Sequence, residues 1–170
     1  MKRIVSPAIL IACLLAASSV AWAQDCTLWN NGQLAGTYTM SGSGFVDLSK
    51  MLPGMGLPSG LIPMTWVGAF TMDPSGGGTG WVSFNAAGNQ MNVQLVGKKF
   101  SMNGDCSIQE SFSMKIKELG ITVGPVYRLL VPVTKPDGLE LQMIFLGTPP
   151  GTPAGPALDL GVAHRISRQY

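Results

Sequence analysis

Residues 107–117 read Ser-Ile-Gln-Glu-Ser-Phe-Ser-Met-Lys-Ile-Lys, and this stretch decides the fold class. Its apolar residues, among them Ile108, Phe112 and Ile116, occupy alternate positions, and mostly polar residues lie between them. Because the side chains of a β-strand point alternately to opposite faces, the pattern predicts a strand with one buried and one solvated face. Glu110 is the exception, since it falls on the apolar face.

The same period of two recurs along the chain from about residue 34, and clusters of glycine, proline, asparagine and aspartate separate the repeats. No stretch keeps the apolar spacing of an amphipathic helix over three turns. About eight strands at hairpin spacing predict an all-β fold, an antiparallel up-and-down barrel, with a β-sandwich as the alternative. In strand order, the residues expected to point inward include Trp66, Phe70 and Met72; Val82 and Phe84; Met91, Val93 and Leu95; Ile108, Phe112, Met114 and Ile116; Val123, Tyr127, Leu129, Val131 and Val133; Leu139, Leu141, Met143 and Phe145; and Leu158, Leu160, Val162 and Ile166.

The stretch 90–102 contains a change of phase. Its apolar residues lie at odd positions up to Leu95 and at even positions from Phe100 onward. A strand changes phase when it gains an extra residue, so we expect a β-bulge at Gly97-Lys98 with Leu95 and Phe100 both pointing inward. Asn103-Gly104 then predicts a two-residue hairpin turn.

The first 23 residues carry the features of a cleavable signal peptide. Two basic residues precede a largely apolar stretch, and Ala21-Trp22-Ala23 offers small residues at the −3 and −1 positions. The segment ending at Cys13 also resembles a lipoprotein box, but the apolar stretch continues beyond that cysteine. We therefore expect a secreted or periplasmic protein that is cleaved after Ala23.

Residues 24–170 are then expected to form a single β-barrel domain with no membrane span. Removing Lys2 and Arg3 from the 11 basic residues leaves nine, which equals the 9 acidic residues. The absence of a basic stripe argues against nucleic acid as a partner. The outward positions of 107–117 carry glutamine, serine and lysine, which argues against a lipid-facing barrel.

Two cysteines, Cys26 and Cys106, remain after residue 23. A cysteine pair in an oxidising compartment predicts a disulfide. A metal site is the alternative, but it lacks further ligands because His164 is the only histidine. We therefore expect a Cys26–Cys106 bond and neither a metal nor another cofactor.

Catalytic motifs are scarce in this chain. It contains no Gly-x-Ser-x-Gly and no His-Glu-x-x-His, and no lysine follows the glycine-rich stretch 76–80, so an enzyme is the less favoured interpretation. Glu110 and His164, however, both fall on the apolar phase of their strands. Three interpretations remain open: strand ends that reach water, a polar pair that faces a ligand cavity, or a general acid–base pair. If the two side chains meet, the carboxylate raises the pKa of the imidazole.

Three functions remain open at this point. The first is a barrel that binds a small apolar ligand, with Glu110, His164, Trp66 and Tyr127 as candidate ligand-binding residues. The second is a structural or interaction protein with a filled core, which docks a protein partner through the apolar loop 51–62. The third is a cyclase- or isomerase-like barrel enzyme, on fold analogy alone. In the first function the loop is expected to act as a lid, and the size of the interior cavity discriminates between the functions.

Several short motifs occur in a fixed order along the chain. Cys26 precedes Leu34-Ala35-Gly36-Thr37-Tyr38, and the later motifs are Asn103-Gly104-Asp105-Cys106 and Gly161-Val162-Ala163-His164-Arg165. This order resembles a group of uncharacterised secreted proteins of soil bacteria, which share Leu-x-Gly-Thr-Tyr, Asn-x-Asp-Cys and a terminal Gly-x-Ala-x-Arg. The group also shares a Gly-x-(Phe/Leu)-x-Phe-Asp-Gly-x-Gly hairpin, from which this sequence departs at Met72 and Pro74. The resemblance implies a one-domain secreted β-protein with a Cys26–Cys106 bond, and it implies no activity.

Overall fold

The chain folds into a closed barrel of eight antiparallel strands in which each strand pairs with its neighbours in sequence and β8 pairs with β1. A computed structural model describes residues 30–52, 54–57, 59–135, 138–145 and 157–168. The predicted up-and-down barrel is therefore confirmed, and the predicted signal peptide and Cys26 lie outside the described residues. The elements are α1 (Asn31–Leu34), β1 (Gly36–Val46), α2 (Leu48–Met51), β2 (Ile62–Met72), β3 (Gly77–Ala86), β4 (Asn89–Met102), β5 (Ile108–Ile116), β6 (Ile121–Lys135), β7 (Gly138–Phe145) and β8 (Ala157–Arg168).

Strand β5 follows the predicted alternation without interruption. Ile108, Glu110, Phe112 and Ile116 are buried, whereas the residues between them are exposed or half-buried. The inward set of β2, with Trp66 among it, is confirmed in the same way. These two strands supply much of the apolar core, because their inward side chains are mostly aromatic, methionine or isoleucine.

The predicted bulge in β4 is present. The register against β5 shifts between Val96 and Lys99, and Gly97 adopts a φ of 61°, which suits glycine. Leu95 and Phe100 are both buried on either side of the shift, as expected. The hairpin that follows is longer than the predicted two-residue turn, since β4 ends at Met102 and β5 begins at Ile108.

A second bulge, in β6, was not predicted. Gly124 and Pro125 lie opposite the single Ser113 of β5, because the register shifts there. The extra residue reverses the phase of the rest of β6, so that Arg128 points inward and Tyr127 lies half-buried on the outer face. The prediction that Tyr127, Leu129, Val131 and Val133 face inward is therefore wrong.

The predicted phase of β8 is also wrong. Ala163 of β8 pairs with the inward Met40 of β1 and is fully buried, and Asp159 is buried on the same face. Leu160 and Ile166, which were expected inside, are each 63% exposed. The apolar residues of this strand lie mainly on its outer face, so apolar alternation alone selected the wrong side.

Short helices lie at opposite ends of the barrel, since α1 precedes β1 and α2 follows it. At the α1 end, the fully buried Tyr38 donates a hydrogen bond from its hydroxyl to the carbonyl of Leu34 at 2.5 Å. At the α2 end, the Asp47 side chain caps the helix, and Met51 and Leu52 are buried. Within the described residues, no helix is long and apolar enough to cross a membrane.

Candidate ligand-binding site

A cluster of three charged side chains is buried in the interior of the barrel. Glu110 is fully buried, and one of its carboxylate oxygens pairs with the ammonium of Lys98. Its other oxygen accepts a hydrogen bond from Nε of Arg128 at 2.6 Å. Lys98 and Arg128 are themselves 3% and 4% exposed, so the cluster lies almost wholly out of water.

The two bulges assemble this cluster. Glu110 points inward on the uninterrupted strand β5, whereas Lys98 and Arg128 come from its two neighbours, β4 and β6. The β4 bulge lies directly beside Lys98, and the β6 bulge reverses the phase three residues before Arg128. Because bulges re-aim side chains, both cations reach the face on which Glu110 lies.

The electrostatics of the cluster favour a charged carboxylate. Burial alone would raise the pKa of Glu110, but the adjacent Arg128 and Lys98 outweigh burial and hold the pKa below its ordinary value. Burial lowers the pKa of Lys98, and the Glu110 carboxylate opposes that effect. Both cations also lie over the ring of Phe70, with Lys98 Nζ 4.4 Å and the Arg128 guanidinium carbon 4.9 Å from its centroid.

A cavity of about 50 Å³ lies inside the barrel next to this cluster. Arg128 lines the cavity. Met51 of α2 also lines it, so the cavity lies towards the end of the barrel at which α2 is found. Its other lining side chains are mainly apolar, including Met64, Phe84, Phe112 and Met114. The remaining polar groups in its wall are the Trp66 indole and the Asp159 carboxyl.

Asp159 and Trp66 place unsatisfied polar atoms in this wall. Asp159 is 4% exposed and Trp66 is 7% exposed, and neither Oδ1 of Asp159 nor Nε1 of Trp66 has a hydrogen-bond partner among the described residues. Burial raises the pKa of Asp159 from 3.8 to about 7, although Arg128 and the nearby indole N–H favour its charged form. The indole approaches the carboxyl without reaching hydrogen-bond geometry. Buried polar groups without a partner are rare in folded proteins, and each needs an explanation such as a water, an ion or a functional role.

Two glycines leave the space that the indole of Trp66 occupies. Gly42 of β1 pairs with Trp66 on one side and with Gly161 of β8 on the other. A Cβ atom built on either glycine would collide with the six-membered part of the indole ring. The ring therefore lies against bare backbone, and a side chain at either position would push it away from the wall.

The structure separates the residues that the sequence analysis grouped. Trp66 lines the cavity, and Glu110 lies in the charged cluster beside it. The His164 side chain is 60% exposed on the outer face, where Nδ1 lies 3.6 Å from an oxygen of Glu140. The interpretation in which Glu110 and His164 meet as a polar pair is therefore excluded, and Tyr127 also lies outside the interior.

Sequence reasoning missed Lys98, Arg128 and Asp159. The bulge predicted at Gly97-Lys98 was a usable signal for Lys98, because a bulge beside a lysine can redirect its side chain. For Arg128 the signal was Gly124-Pro125, since proline inside a strand often marks a bulge. Asp159 had no such signal, because its neighbours Leu158 and Leu160 are both apolar and apolar alternation assigns the inward phase to them.

Comparison with known proteins adds no family. No protein-family model matches this sequence, and no curated protein matches it. Among the described residues, no group of three or more histidine, cysteine, aspartate or glutamate side chains could hold a metal ion. The candidate site is therefore defined by its geometry alone.

Proposed function

We propose that this protein is an extracytoplasmic barrel that binds a small, mainly apolar molecule in its interior. The cavity beside Arg128, Trp66 and Asp159 carries the proposal, because an apolar wall with a few convergent polar groups is the usual composition of a small-molecule site. The export expectation rests on the first 23 residues of the sequence.

The size of the cavity sets the size of the ligand. A volume of about 50 Å³ exceeds the roughly 10–15 Å³ that one water needs, but lies well below the roughly 300 Å³ of a drug-sized pocket. Met51, Met64 and Met114 line it, and methionine is the apolar side chain that adapts most readily to a new shape. We therefore expect ligands no larger than a single ring, which enters only when these methionines move, since a cavity that holds benzene measures about 150 Å³.

The α2 end of the barrel is the proposed entrance. Met51 lines the cavity while Met55 and Leu61, further along the same connection, are 47% and 65% exposed. Met51 and Leu52 are buried and Leu57 packs against the core, so the entrance opens only when these side chains leave the core together. This keeps the loop 51–62 in the role of a lid.

The exposed apolar residues of the same loop favour one second function. Met55 and Leu61 offer apolar surface to a protein partner, and the fully buried side chains near Tyr38 and Phe70 show that part of the interior is filled. In this alternative the barrel is an interaction scaffold and the cavity stays empty of ligand.

Toluene titration tests the proposal. Toluene should raise the thermal midpoint of the mature protein in a saturable way, because a ligand that binds only the folded state stabilises it by mass action. Val82→Phe, which adds bulk to the cavity wall, should abolish this effect. The matched control is Val67→Phe, since Val67 is 54% exposed on the outer face of the neighbouring strand. Equal midpoint shifts in both variants and the wild type would refute interior binding.

A further inference from the structure

We infer that the ligand carries a neutral hydroxyl group, which binds between the indole N–H of Trp66 and the carboxyl of Asp159. This inference rests on the proposed function and assigns the chemistry of its polar end. Both side chains are more than nine-tenths buried, both line the cavity, and both keep an atom without a hydrogen-bond partner among the described residues.

The two unsatisfied atoms require a group that both accepts and donates. Nε1 of Trp66 is only a donor, so the ligand atom that faces it must accept. Oδ1 of Asp159 accepts when the carboxyl is ionised, so the ligand must also donate. A hydroxyl oxygen does both within the space of one atom, and an ether or a carbonyl oxygen cannot.

The charges around the cavity disfavour ionised ligands. Arg128 lines the same wall and Lys98 pairs with the same Glu110 carboxylate, so two positive charges oppose the attraction of a ligand cation to Asp159. A ligand carboxylate would meet Asp159 in the same wall, which repels it once Asp159 ionises. A hydroxyl suits either form of Asp159, because it accepts from the protonated carboxyl and donates to the ionised one.

The wall behind Trp66 fixes the donor in place. Gly42 and Gly161 admit the indole against bare backbone, and glycine inside a strand otherwise weakens it. The two glycines therefore weaken two neighbouring strands at the place where the indole N–H of Trp66 is oriented. A donor held in this way loses little conformational freedom when the ligand binds.

Phenol and toluene form the matched pair of probes, since they differ mainly in a hydroxyl against a methyl group. At pH 7.5 phenol should bind the mature protein about tenfold more tightly than toluene, the magnitude of one buried neutral hydrogen bond. Trp66→Phe should lower phenol affinity, because the indole N–H is lost while Asp159 remains, and toluene affinity should change little. Trp81→Phe is the control, because Trp81 is 53% exposed on the outer face, and it should leave both affinities unchanged.

The outcomes separate this inference from the proposed function. If toluene binds at least as tightly as phenol to the wild type, the hydroxyl inference is overturned and interior binding stands. If benzoate or benzylammonium binds more tightly than phenol, the assignment of a neutral polar group is overturned. If none of the four probes binds, the proposed function fails and the inference fails with it. The comparison of phenol with toluene uses only the wild type, so it tests the hydroxyl inference even if Trp66→Phe does not fold.

Discussion

Glu110 of β5 and Arg128 of β6 lie directly opposite each other in the strand register, and both side chains point into the barrel. Lys98 of β4 joins them from the other side, so one carboxylate ties together three neighbouring strands. Taking these charges out of water is costly, and a buried ion pair is therefore weak grounds for high stability. Its structural effect is to fix Arg128, and with it one wall of the cavity.

Removing the shared carboxylate should destabilise the fold severely. In Glu110→Gln, Lys98 and Arg128 stay buried without their counter-ion, and breaking a buried ion pair in this way costs about 3–5 kcal/mol. Denaturant unfolding measures the loss. Glu118→Gln is the matched control, because Glu118 is exposed, and its effect should stay within about 0.5 kcal/mol. Equal unfolding midpoints for the two variants would show that the cluster does not depend on Glu110.

The sequence was sufficient to predict the architecture. Alternation in β2, β4 and β5 is strong, and the glycine-containing phase change in β4 identified a bulge at its observed place, Gly97-Lys98. Hairpin spacing then led to a barrel with neighbouring strands paired in order. These features are local, so they can be recognised without knowing what each strand packs against.

The candidate site could be predicted only in part, because the face of a strand that points inward depends on what the strand packs against in the folded barrel. In β8 the outer face carries Leu160 and Ile166, whereas the inner face carries Asp159 and a glycine that makes room for Trp66. A pattern that equates apolar with inward therefore places this strand the wrong way round. The error moved His164 into the interior and Asp159 out of it.

Because Gly42 and Gly161 leave space for the Trp66 ring, adding a single methyl group at Gly161 should strongly reduce stability. In Gly161→Ala the new Cβ collides with the Trp66 ring and lies 2.7 Å from the carbonyl oxygen of Ser41. Overpacking of this kind destabilises by about 1–3 kcal/mol. Denaturant unfolding measures it, and Gly104→Ala is the control, since nothing lies within 4 Å of a Cβ at that position.

A second substitution tests whether the indole is the cause. Gly161→Ala combined with Trp66→Leu should recover part of the lost stability, because the smaller side chain leaves the space beside the two glycines. The double-mutant cycle measures this coupling, which we expect at about 0.5–3 kcal/mol in the favourable direction. Strictly additive effects would place the strain at the Ser41 carbonyl and not at Trp66.

The Cys26–Cys106 bond stays a prediction, since Cys26 lies outside the described residues. Cys106 is buried in the connection between β4 and β5. A bond that closes a loop of about 80 residues should stabilise by roughly 4 kcal/mol in the chain-entropy model. Peptide mapping of the unreduced protein should recover Cys26 and Cys106 in one linked fragment. Two thiols that react with a thiol reagent in the unfolded, unreduced protein would contradict the bond.

The raised pKa of Asp159 predicts that the folded protein loses stability as the pH rises towards neutrality. Its pKa rises from 3.8 to about 7 on folding, so between these values the folded state carries more protons than the unfolded state. The free energy of unfolding therefore falls as the pH rises through this window and levels off above it, with a total change of at most about 4 kcal/mol. Denaturant unfolding at pH 5 and pH 7.5 should show the wild type weaker at pH 7.5.

Asp159→Asn should remove most of this pH dependence, because the amide does not titrate, and the variant should be more stable than the wild type at pH 7.5. Asp105→Asn is the matched control. The hydrogen bond that Asp105 accepts from Ser107 lowers its pKa, so it titrates below the window and the wild-type slope should remain. If Asp159→Asn keeps the slope while Asp105→Asn removes it, the buried carboxyl is not the titrating group, and the polar wall of the cavity is ionised throughout this range.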